Sequence, residues 1–329
     1  MRAAVITRPG GPDVLQILDI QDPVPQPDEA LVQVHATSLN RADLSQRQGR
    51  YPAPSGILQD VPGLDMAGKV LSIGERVNNV TPGDRVFGLL GGGGYAELVV
   101  TPASMLMHIP ENLSFIEAAS IPEVFFTAYD ALFNQCNLKM GDAILIHAVG
   151  SGVGTAALQL AHLSGALTFG TAGTPGKLLQ ATSLGLDVGI NHTEDDFLSV
   201  VLEHTGNLGV DVILDLVGAP YWERNLASMA VLGRMILIGS LGGTEVNSSL
   251  RTLSEKRLRI YGTSLRSRPL DEKLALTKQI NEHVLPFLYN GQLKPAIDCV
   301  FTLEEASAAH AYMEANQNFG KIVLTVNRA

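Results

Sequence analysis

Residues 143–173 read AILIHAVGSGVGTAALQLAHLSGALTFGTAG, and this stretch decides the fold. An apolar run at 143–147 leads into a glycine-rich turn at 150–154, and apolar positions with helical spacing follow directly. A second apolar run at 167–172 completes a segment with the length of one strand–helix–strand element. In such an element the first N–H groups of the helix face a bound anion. The stretch therefore predicts a site for the pyrophosphate of a dinucleotide.

The glycine pattern matches the dinucleotide fingerprint Gly-x-Gly-x-x-Gly only in part, because Val149 and Ser151 stand where small residues of that motif usually lie. Glycines that merely turn the chain would give a similar pattern. The strand before the turn, the helix after it and the second strand favour the cofactor interpretation. We expect backbone contacts to the cofactor from Ser151, Gly152, Val153 and Gly154.

The composition is that of an acidic globular α/β protein. The chain has 329 residues, 46% of them hydrophobic, with 33 glycines and a net charge of −10. Two domains are expected at this length, and the negative charge argues against nucleic acid or an anionic membrane as the main partner. No apolar run is long enough to span a membrane and no leader is visible, so we expect a cytoplasmic location. Cys136 and Cys299 show no metal-ligand spacing and are expected to be reduced thiols.

Two regions of the sequence differ in their periodicity. Residues 1–122 carry short alternating strands between Gly/Pro turns, which predicts an antiparallel, barrel-like domain with one helix at about 41–48. From Pro122 on, strands alternate with helices, which predicts a doubly wound parallel sheet. Its six strands are expected near residues 143, 167, 188, 210, 234 and 259.

The C-terminal part of the sequence is predicted to return to the first domain. A long helix is expected at 271–288, followed by a strand at 297–301. Thr302-x-x-Glu305 is a capping box that opens a further helix, and a final strand is expected at 321–326. The predicted domains are 1–122 with 289–329 for the first, and 123–288 for the inserted cofactor domain.

Five separated segments resemble a known family: NRADLSQRQGRY (40–51), PGLDMAG (62–68), IPEVFFTAY (121–129), IHAVGSGVGTAALQL (146–160) and FGKIVL (319–324). Together they resemble the zinc-free quinone oxidoreductases of the medium-chain dehydrogenase/reductase superfamily, most of all the sub-group typified by the p53-inducible enzyme. The resemblance implies an α/β protein in which a Rossmann doubly wound parallel sheet is inserted in a β-rich, GroES-like domain. It also implies a homodimer that pairs through the edge strand of the cofactor sheet near 257–262.

The same segments bear on zinc. Zinc-dependent members of the superfamily carry Gly-His-Glu where this chain has Gly63-Leu64-Asp65, and leucine cannot ligate a metal. They also hold a structural zinc on four closely spaced cysteines, whereas this chain has two cysteines in all. We therefore expect no zinc. Without a Lewis acid, alcohol oxidation is disfavoured, and the expected reaction passes a hydride from a reduced nicotinamide to a quinone or an enone.

The segment after the second strand of the cofactor domain favours NADPH. NAD-selective folds place a carboxylate there, but this chain has Gly170-Thr171-Ala172-Gly173-Thr174, and Lys177 is close enough in sequence to bind a 2′-phosphate. A solvated helix-face lysine is the structural alternative for Lys177. The resemblance implies that His192 stands where relatives have a stacking Tyr, and Asn316 where some have an arginine. NADH use is therefore also possible.

Further residues are implied at the nicotinamide and ribose end of the cofactor. Val217 and Gly218 follow a strand at the carboxyl edge, where dinucleotides bind, and are expected beside the ribose. The resemblance implies nicotinamide contacts from Asn40, Tyr51, Thr127, Gly239, Leu241 and Leu265.

Asn40, Tyr51 and Thr127 are the candidate catalytic residues. Asn40 and Tyr51 flank the helix of the first domain, so their amide and phenol are available to a quinone oxygen that gains charge. Thr127 is expected to orient the nicotinamide ring. The structural alternatives are a helix N-cap for Asn40, a half-buried loop aromatic for Tyr51 and an interior helix residue for Thr127. Solvent can supply the proton, so catalysis by positioning is expected.

Three functions fit these residues. The first is an NADPH-dependent quinone reductase, and the second is an enone or 2-alkenal reductase. Rates on paired quinone and enone substrates separate these two. The third is a cofactor-binding protein without catalysis, which tight NADPH binding without turnover of any acceptor would support.

Overall fold

The computed structural model describes residues 1–326, which form two compact units. The first unit contains Met1–Phe126 and the chain from Leu265 on, and the second unit is Thr127–Ser264. The predicted boundaries, after residues 122 and 288, differ from these positions. The second differs more because the helical segment after Ser264 packs within the first unit, where Thr277 Oγ1 lies 3.6 Å from Met105 Sδ.

The regular elements follow the predicted order closely. The strands are β1 Arg2–Ile6, β2 Leu15–Asp19, β3 Glu29–Ser38, β4 Asp65–Ile73, β5 Arg85–Leu89, β6 Leu98–Pro102, β7 Leu106–His108, β8 Ala143–Ile146, β9 Leu167–Ala172, β10 Val188–Asn191, β11 Val210–Asp215, β12 Met229–Leu237, β13 Arg259–Gly262, β14 Ile297–Thr302 and β15 Lys321–Thr325. The α-helices are α1 Arg41–Arg47, α2 Phe115–Ala119, α3 Pro122–Tyr129, α4 Gly152–Leu163, α5 Pro175–Thr182, α6 Phe197–His204, α7 Trp222–Ser228, α8 Arg251–Lys256, α9 Leu270–His283, α10 Leu285–Tyr289 and α11 Ala306–Glu314. Short 3-10 helices lie at Pro12–Val14, Ala103–Met105, Ala219–Tyr221 and Leu303–Glu305, and a π-helical turn lies at Asp130–Gln135.

The first unit is built on a seven-stranded sheet. Its order is β14-β15-β3-β4-β5-β7, and β6 also pairs with β3. Buried and half-buried residues alternate along most of β3, as expected for a strand with one face in the core. β15 pairs antiparallel with β3, which confirms that the C-terminal elements rejoin the first domain. The predicted capping box is also present, because the Glu305 carboxylate accepts the Thr302 N–H at 2.8 Å.

The second unit is a parallel sheet of six strands in the order β10-β9-β8-β11-β12-β13. The prediction of six strands in a doubly wound arrangement is confirmed, since the order reverses beside β8 as it does in a Rossmann fold. Leu145, Phe169, Ile213 and Met235 are fully buried in its core. β13 forms one edge of the sheet.

The prediction of one helix at 271–288 is wrong in two respects. The segment forms two helices, α9 and α10, which meet at Val284, and both belong to the first unit. Pro286 explains the break, because proline has no N–H to bond the carbonyl four residues earlier and its ring clashes with that turn.

Candidate functional site

The glycine turn between β8 and α4 forms a cradle of backbone donors. Ser151 is the N-cap of α4, and its Oγ accepts the Gly154 N–H at 3.0 Å. The N–H groups of Gly152 and Val153 have no hydrogen-bond partner within residues 1–326. A Cβ on Gly154 would lie 2.4 Å from the Ala148 carbonyl, so glycine is required for the close approach of helix and turn. Two backbone donors at a helix start suit a pyrophosphate oxygen. The Ser151 and Gly154 N–H groups donate within the turn, and the cofactor contacts expected from all four residues stay predictions.

Gly173 and His192 meet at the carboxyl edge of the same sheet. They directly follow β9 and β10, and a Cβ on Gly173 would lie 3.2 Å from His192 Nε2. Lys177 is half-buried in the first turn of α5, with its backbone N–H on the Thr174 hydroxyl at 3.4 Å. These residues therefore stand on neighbouring elements at the end of the sheet where the adenosine phosphate is predicted to bind.

The loops after β11 and β12 are joined by backbone hydrogen bonds. The Gly242 N–H donates to the Val217 carbonyl at 2.9 Å, and the Leu241 N–H donates to the Leu216 carbonyl at 3.2 Å. Gly218 has a φ of +84°, and a Cβ there would lie 2.7 Å from the Gly243 carbonyl, so only glycine fits without strain. The structure thus brings the predicted residues Val217, Gly218, Gly239 and Leu241 into one pair of loops.

A buried chain of hydrogen-bonded side chains, which ends at the Asp215 carboxylate, supports these turns. His147 Nε2 lies 2.7 Å from Asn225 Oδ1, and His147 Nδ1 lies 3.0 Å from Thr171 Oγ1. Asn225 Nδ2 in turn donates to Asp215 Oδ2 at 3.0 Å. Because that carboxylate only accepts, the Asn225 oxygen must face His147, and His147 carries its proton on Nε2. Burial lowers the pKa of His147 to about 4.

This chain of hydrogen-bonded side chains meets a backbone turn at each of its ends. At one end the Ala148 N–H donates to Thr171 Oγ1 at 3.3 Å. At the other end Asp215 Oδ1 accepts the N–H groups of Val217 at 2.7 Å and Gly218 at 3.1 Å. The hydrogen-bonded side chains therefore link the glycine turn before α4 to the loop predicted to contact the ribose.

In the first unit, Asn40 belongs to a buried cluster with Asp65 and Lys321. Asn40 Nδ2 donates to Asp65 Oδ2 at 2.7 Å, and Asn40 Oδ1 accepts from Lys321 Nζ at 2.6 Å. The Asn40 N–H donates to Asp43 Oδ2 at 2.8 Å, which is the return contact of a capping box at the start of α1. Leu64, in the sequence that replaces Gly-His-Glu, is buried and apolar.

Tyr51 is half-buried beside the Arg266 guanidinium, which lies 5.3 Å from the centre of its ring. Arg266 Nη1 donates to the Tyr51 carbonyl at 3.2 Å, and its Nη2 donates to Gln46 Oε1 at 2.7 Å. The Gly91 carbonyl accepts from Arg266 Nε at 2.8 Å. Arg266 therefore fixes the loop that carries Tyr51.

The remaining predicted residues lie in different elements. Thr127 is buried in α3, which also agrees with its structural alternative as an interior helix residue. Leu265 is half-buried and begins the return of the chain to the first unit. Asn316 follows α11, and its Oδ1 accepts a hydrogen bond from Arg41. The roles of these residues in cofactor binding stay predictions.

Sequence reasoning missed Lys321, Arg266 and His147. The sequence did indicate a buried role for Lys321, because a lysine at the start of the apolar run Ile322-Val323-Leu324 must find buried partners. The sequence around Arg266 and His147 carries no comparable signal, since their partners come from distant segments. Within residues 1–326, no three His, Cys, Asp or Glu side chains group as metal ligands. In the same part of the chain no helix has the length and apolarity to cross a membrane.

Known oxidoreductases match both the sequence and the fold. Residues 152–282 match the family model described as zinc-binding dehydrogenase, and residues 26–111 match the alcohol dehydrogenase GroES-like domain. The chain is 32% identical to the quinone oxidoreductase of Homo sapiens over 98% of this chain and 97% of that protein.

Three solved structures show the same fold over nearly the whole chain. A NAD-dependent alcohol dehydrogenase matches with a TM-score of 0.90 and 34% identity, over 99% of this chain and 100% of that one. The Escherichia coli quinone oxidoreductase complexed with NADPH matches with a TM-score of 0.89 and 30% identity, again over 99% and 100%. The CurK enoyl reductase matches with a TM-score of 0.88 and 29% identity, over 99% of each chain. The chain therefore belongs to the quinone oxidoreductase family of the medium-chain dehydrogenase/reductase superfamily.

Proposed function

We propose that this protein is a zinc-independent, NADPH-dependent quinone oxidoreductase that acts on a small-molecule quinone. The observation that carries the proposal is the carboxyl edge of the parallel sheet. There the backbone donors of Gly152 and Val153 lie at one helix start, while Gly173, His192 and Lys177 follow the next two strands. No carboxylate in the segment 170–174 opposes a 2′-phosphate.

Bound NADPH would supply the hydride, and the quinone would also take one proton from water and leave as the hydroquinone. The chain's own groups bind and orient. The Gly152 and Val153 N–H groups hold the pyrophosphate, and the Lys177 ammonium pairs with the 2′-phosphate. Asn40 and Tyr51 donate hydrogen bonds to the acceptor oxygen as it gains charge, and Thr127 orients the nicotinamide.

A second candidate is an enone reductase, which adds the hydride to carbon and a proton to the neighbouring carbon. The match to an enoyl reductase supports it. Steady-state rates with NADPH on 1,4-naphthoquinone and on but-3-en-2-one separate the two candidates. Saturable NADPH binding without turnover of either acceptor would favour a non-catalytic binding protein. A homodimer through β13 and a cytoplasmic location remain predictions that accompany this proposal.

Lys177→Ala tests the cofactor assignment. The variant is expected to weaken NADPH binding about tenfold, because one charge-assisted contact is lost, and to leave NADH binding within about twofold. Fluorescence titration of both reduced cofactors gives the two affinities. Lys139→Ala is the matched control, since Lys139 is an exposed lysine just before β8, at the opposite edge of the same sheet. Equal losses for NADPH and NADH, or no loss in the Lys177 variant, would contradict the assignment.

A further inference from the structure

Lys321 is a buried cation with all its donors in use. Its side chain is 3% exposed, and Nζ donates to the Leu39 carbonyl at 2.7 Å, to Asn40 Oδ1 at 2.6 Å and to Asp65 Oδ2 at 3.2 Å. An ammonium group has three N–H donors, so each donor has one acceptor. The ammonium therefore has one fixed orientation, held from β15 against the end of β3 and the start of β4.

Asp65 is the matching buried anion. Its side chain is fully buried, and Oδ2 accepts from Ser38 Oγ at 2.6 Å, from Asn40 Nδ2 at 2.7 Å and from Lys321 Nζ. The other oxygen, Oδ1, accepts the Glu123 N–H at 2.7 Å. A carboxylate with this many donors has no freedom to rotate without breaking several hydrogen bonds.

These two charges fix the amide of Asn40 in one of its two orientations, which differ by exchange of the oxygen and the nitrogen. As observed, the amide oxygen faces the Lys321 ammonium and the amide nitrogen faces the Asp65 carboxylate. The flipped amide would set two donors against each other at Lys321 and two acceptors against each other at Asp65. Both hydrogen bonds would be lost, so the flipped state is excluded.

We propose that Lys321 and Asp65 are positioning residues that lock the Asn40 amide so that its second Nδ2 hydrogen is presented to the electron acceptor. The proposal rests on the proposed function, because it needs an acceptor oxygen that gains negative charge. Lys321 also polarises the amide through its oxygen, which makes the remaining N–H a stronger donor. The positive charge of Lys321 balances the negative charge of Asp65, so the carboxylate does not oppose an anion that forms beside Asn40.

The test is a double-mutant cycle between Lys321→Met and Asn40→Ala. With saturating NADPH and varied 1,4-naphthoquinone, Lys321→Met is expected to lower kcat about tenfold in the parent background, since the amide oxygen loses its donor and only Asp65 still holds the amide. In the Asn40→Ala background the same change is expected to alter kcat less than about twofold, because no amide remains to be positioned. The NADPH affinity should stay within about twofold throughout.

Arg2→Met is the control for the loss of an ion pair to a buried carboxylate. Arg2 Nε pairs with the buried Glu97 carboxylate at 2.9 Å in the same unit. The control is expected to leave kcat unchanged. Equal losses from Lys321→Met with and without Asn40, or an equal loss in the Arg2 variant, would overturn the proposal.

A crystal structure of the Lys321→Met variant gives a readout that does not depend on activity. A rotated Asn40 amide supports the positioning role, and an amide in the parent orientation overturns it. If the parent reduces neither quinone nor enone, the proposed function fails, and this structure alone decides whether Lys321 positions Asn40. The two failures are therefore distinguishable.

Discussion

Each unit has a fully buried aspartate, and the two carboxylates are stabilised in different ways. In the first unit, Asp65 pairs with the Lys321 ammonium and accepts further donors. In the second unit, Asp215 accepts from the backbone N–H groups of its own loop and from Asn225. Burial raises the pKa of Asp215 above its ordinary value. The Asp65 cluster is thus held by opposite charges, whereas the hydrogen-bonded chain that ends at Asp215 is held by neutral dipoles.

The difference has a consequence for how each site responds to change. The hydrogen bonds of an ion pair have one fixed donor-to-acceptor direction, because an ammonium only donates and a carboxylate only accepts. A chain of amide, imidazole and hydroxyl groups can reverse its direction if every member turns over together. We therefore expect the Asp65 cluster to be costly to alter and the Asp215 chain to be more tolerant.

The largest expected effect is that of Asp65→Asn. The variant leaves the Lys321 ammonium buried without its counter-charge, which should lower the free energy of unfolding by about 3–5 kcal/mol. Adding Lys321→Met should recover at least about 1 kcal/mol, because it removes the unpaired charge. Urea unfolding followed by circular dichroism measures both values. A double variant less stable than Asp65→Asn alone would show that the pair is not coupled in this way.

The partners in these two regions differ in how far the sequence reveals them. The second-unit loops were predictable, because residues that follow parallel strands such as β9 and β11 meet at one edge of the sheet. Lys321 and Asp65 are 256 residues apart, and only the pairing of β15 with β3, and of β3 with β4, brings them together. The Lys in the apolar strand signalled a buried partner, but nothing in the spacing identified Asp65.

The fold itself was largely predictable, and the two errors of prediction have different causes. The periodicity located all six strands of the parallel sheet, because buried strands between glycine turns leave a strong pattern. Pro286 signals the break in the sequence, and the prediction of one helix at 271–288 does not account for it. The boundary at Leu265 depends on which unit α9 packs against, and packing between distant segments leaves no mark in the local pattern.

An intermediate effect is expected from pH acting on His147. Its pKa in the folded protein is about 4, below the ordinary 6.5, so between these pH values the unfolded chain binds a proton that the folded chain does not. The stability that neutral His147 contributes is fully present above pH 6.5. The free energy of unfolding should fall by about 3 kcal/mol as the pH drops toward 4. His147→Gln should remove that part of the pH dependence. The single tryptophan, Trp222, lies in the second unit and reports its unfolding by fluorescence. A parent and variant whose transitions shift equally between pH 7 and pH 5 would contradict the assignment.

The smallest effect on stability is expected from Asp215→Asn, and it bears most directly on the comparison. An asparagine at this position can still accept the N–H groups of Val217 and Gly218 through its oxygen, but its NH2 then faces Asn225. If Asn225 flips to accept, its NH2 faces His147 Nε2, and the imidazole must move its proton to Nδ1, from which it donates to Thr171.

This reversal leaves the Thr171 hydroxyl hydrogen without its former acceptor but keeps the other groups paired, so the cost should be about 1–2 kcal/mol, below that of Asp65→Asn. Nitrogen-15 spectra of the imidazole distinguish the two tautomers, and the expected result is a change from the Nε2–H form in the parent to the Nδ1–H form in the variant. Asn225→Asp serves as the comparison variant, because a carboxylate there can accept from His147 but cannot donate to Asp215, so the chain cannot reverse. If Asp215→Asn is as costly as Asp65→Asn, or leaves the tautomer unchanged, the neutral chain does not adapt by reversal and the contrast between the two aspartates fails.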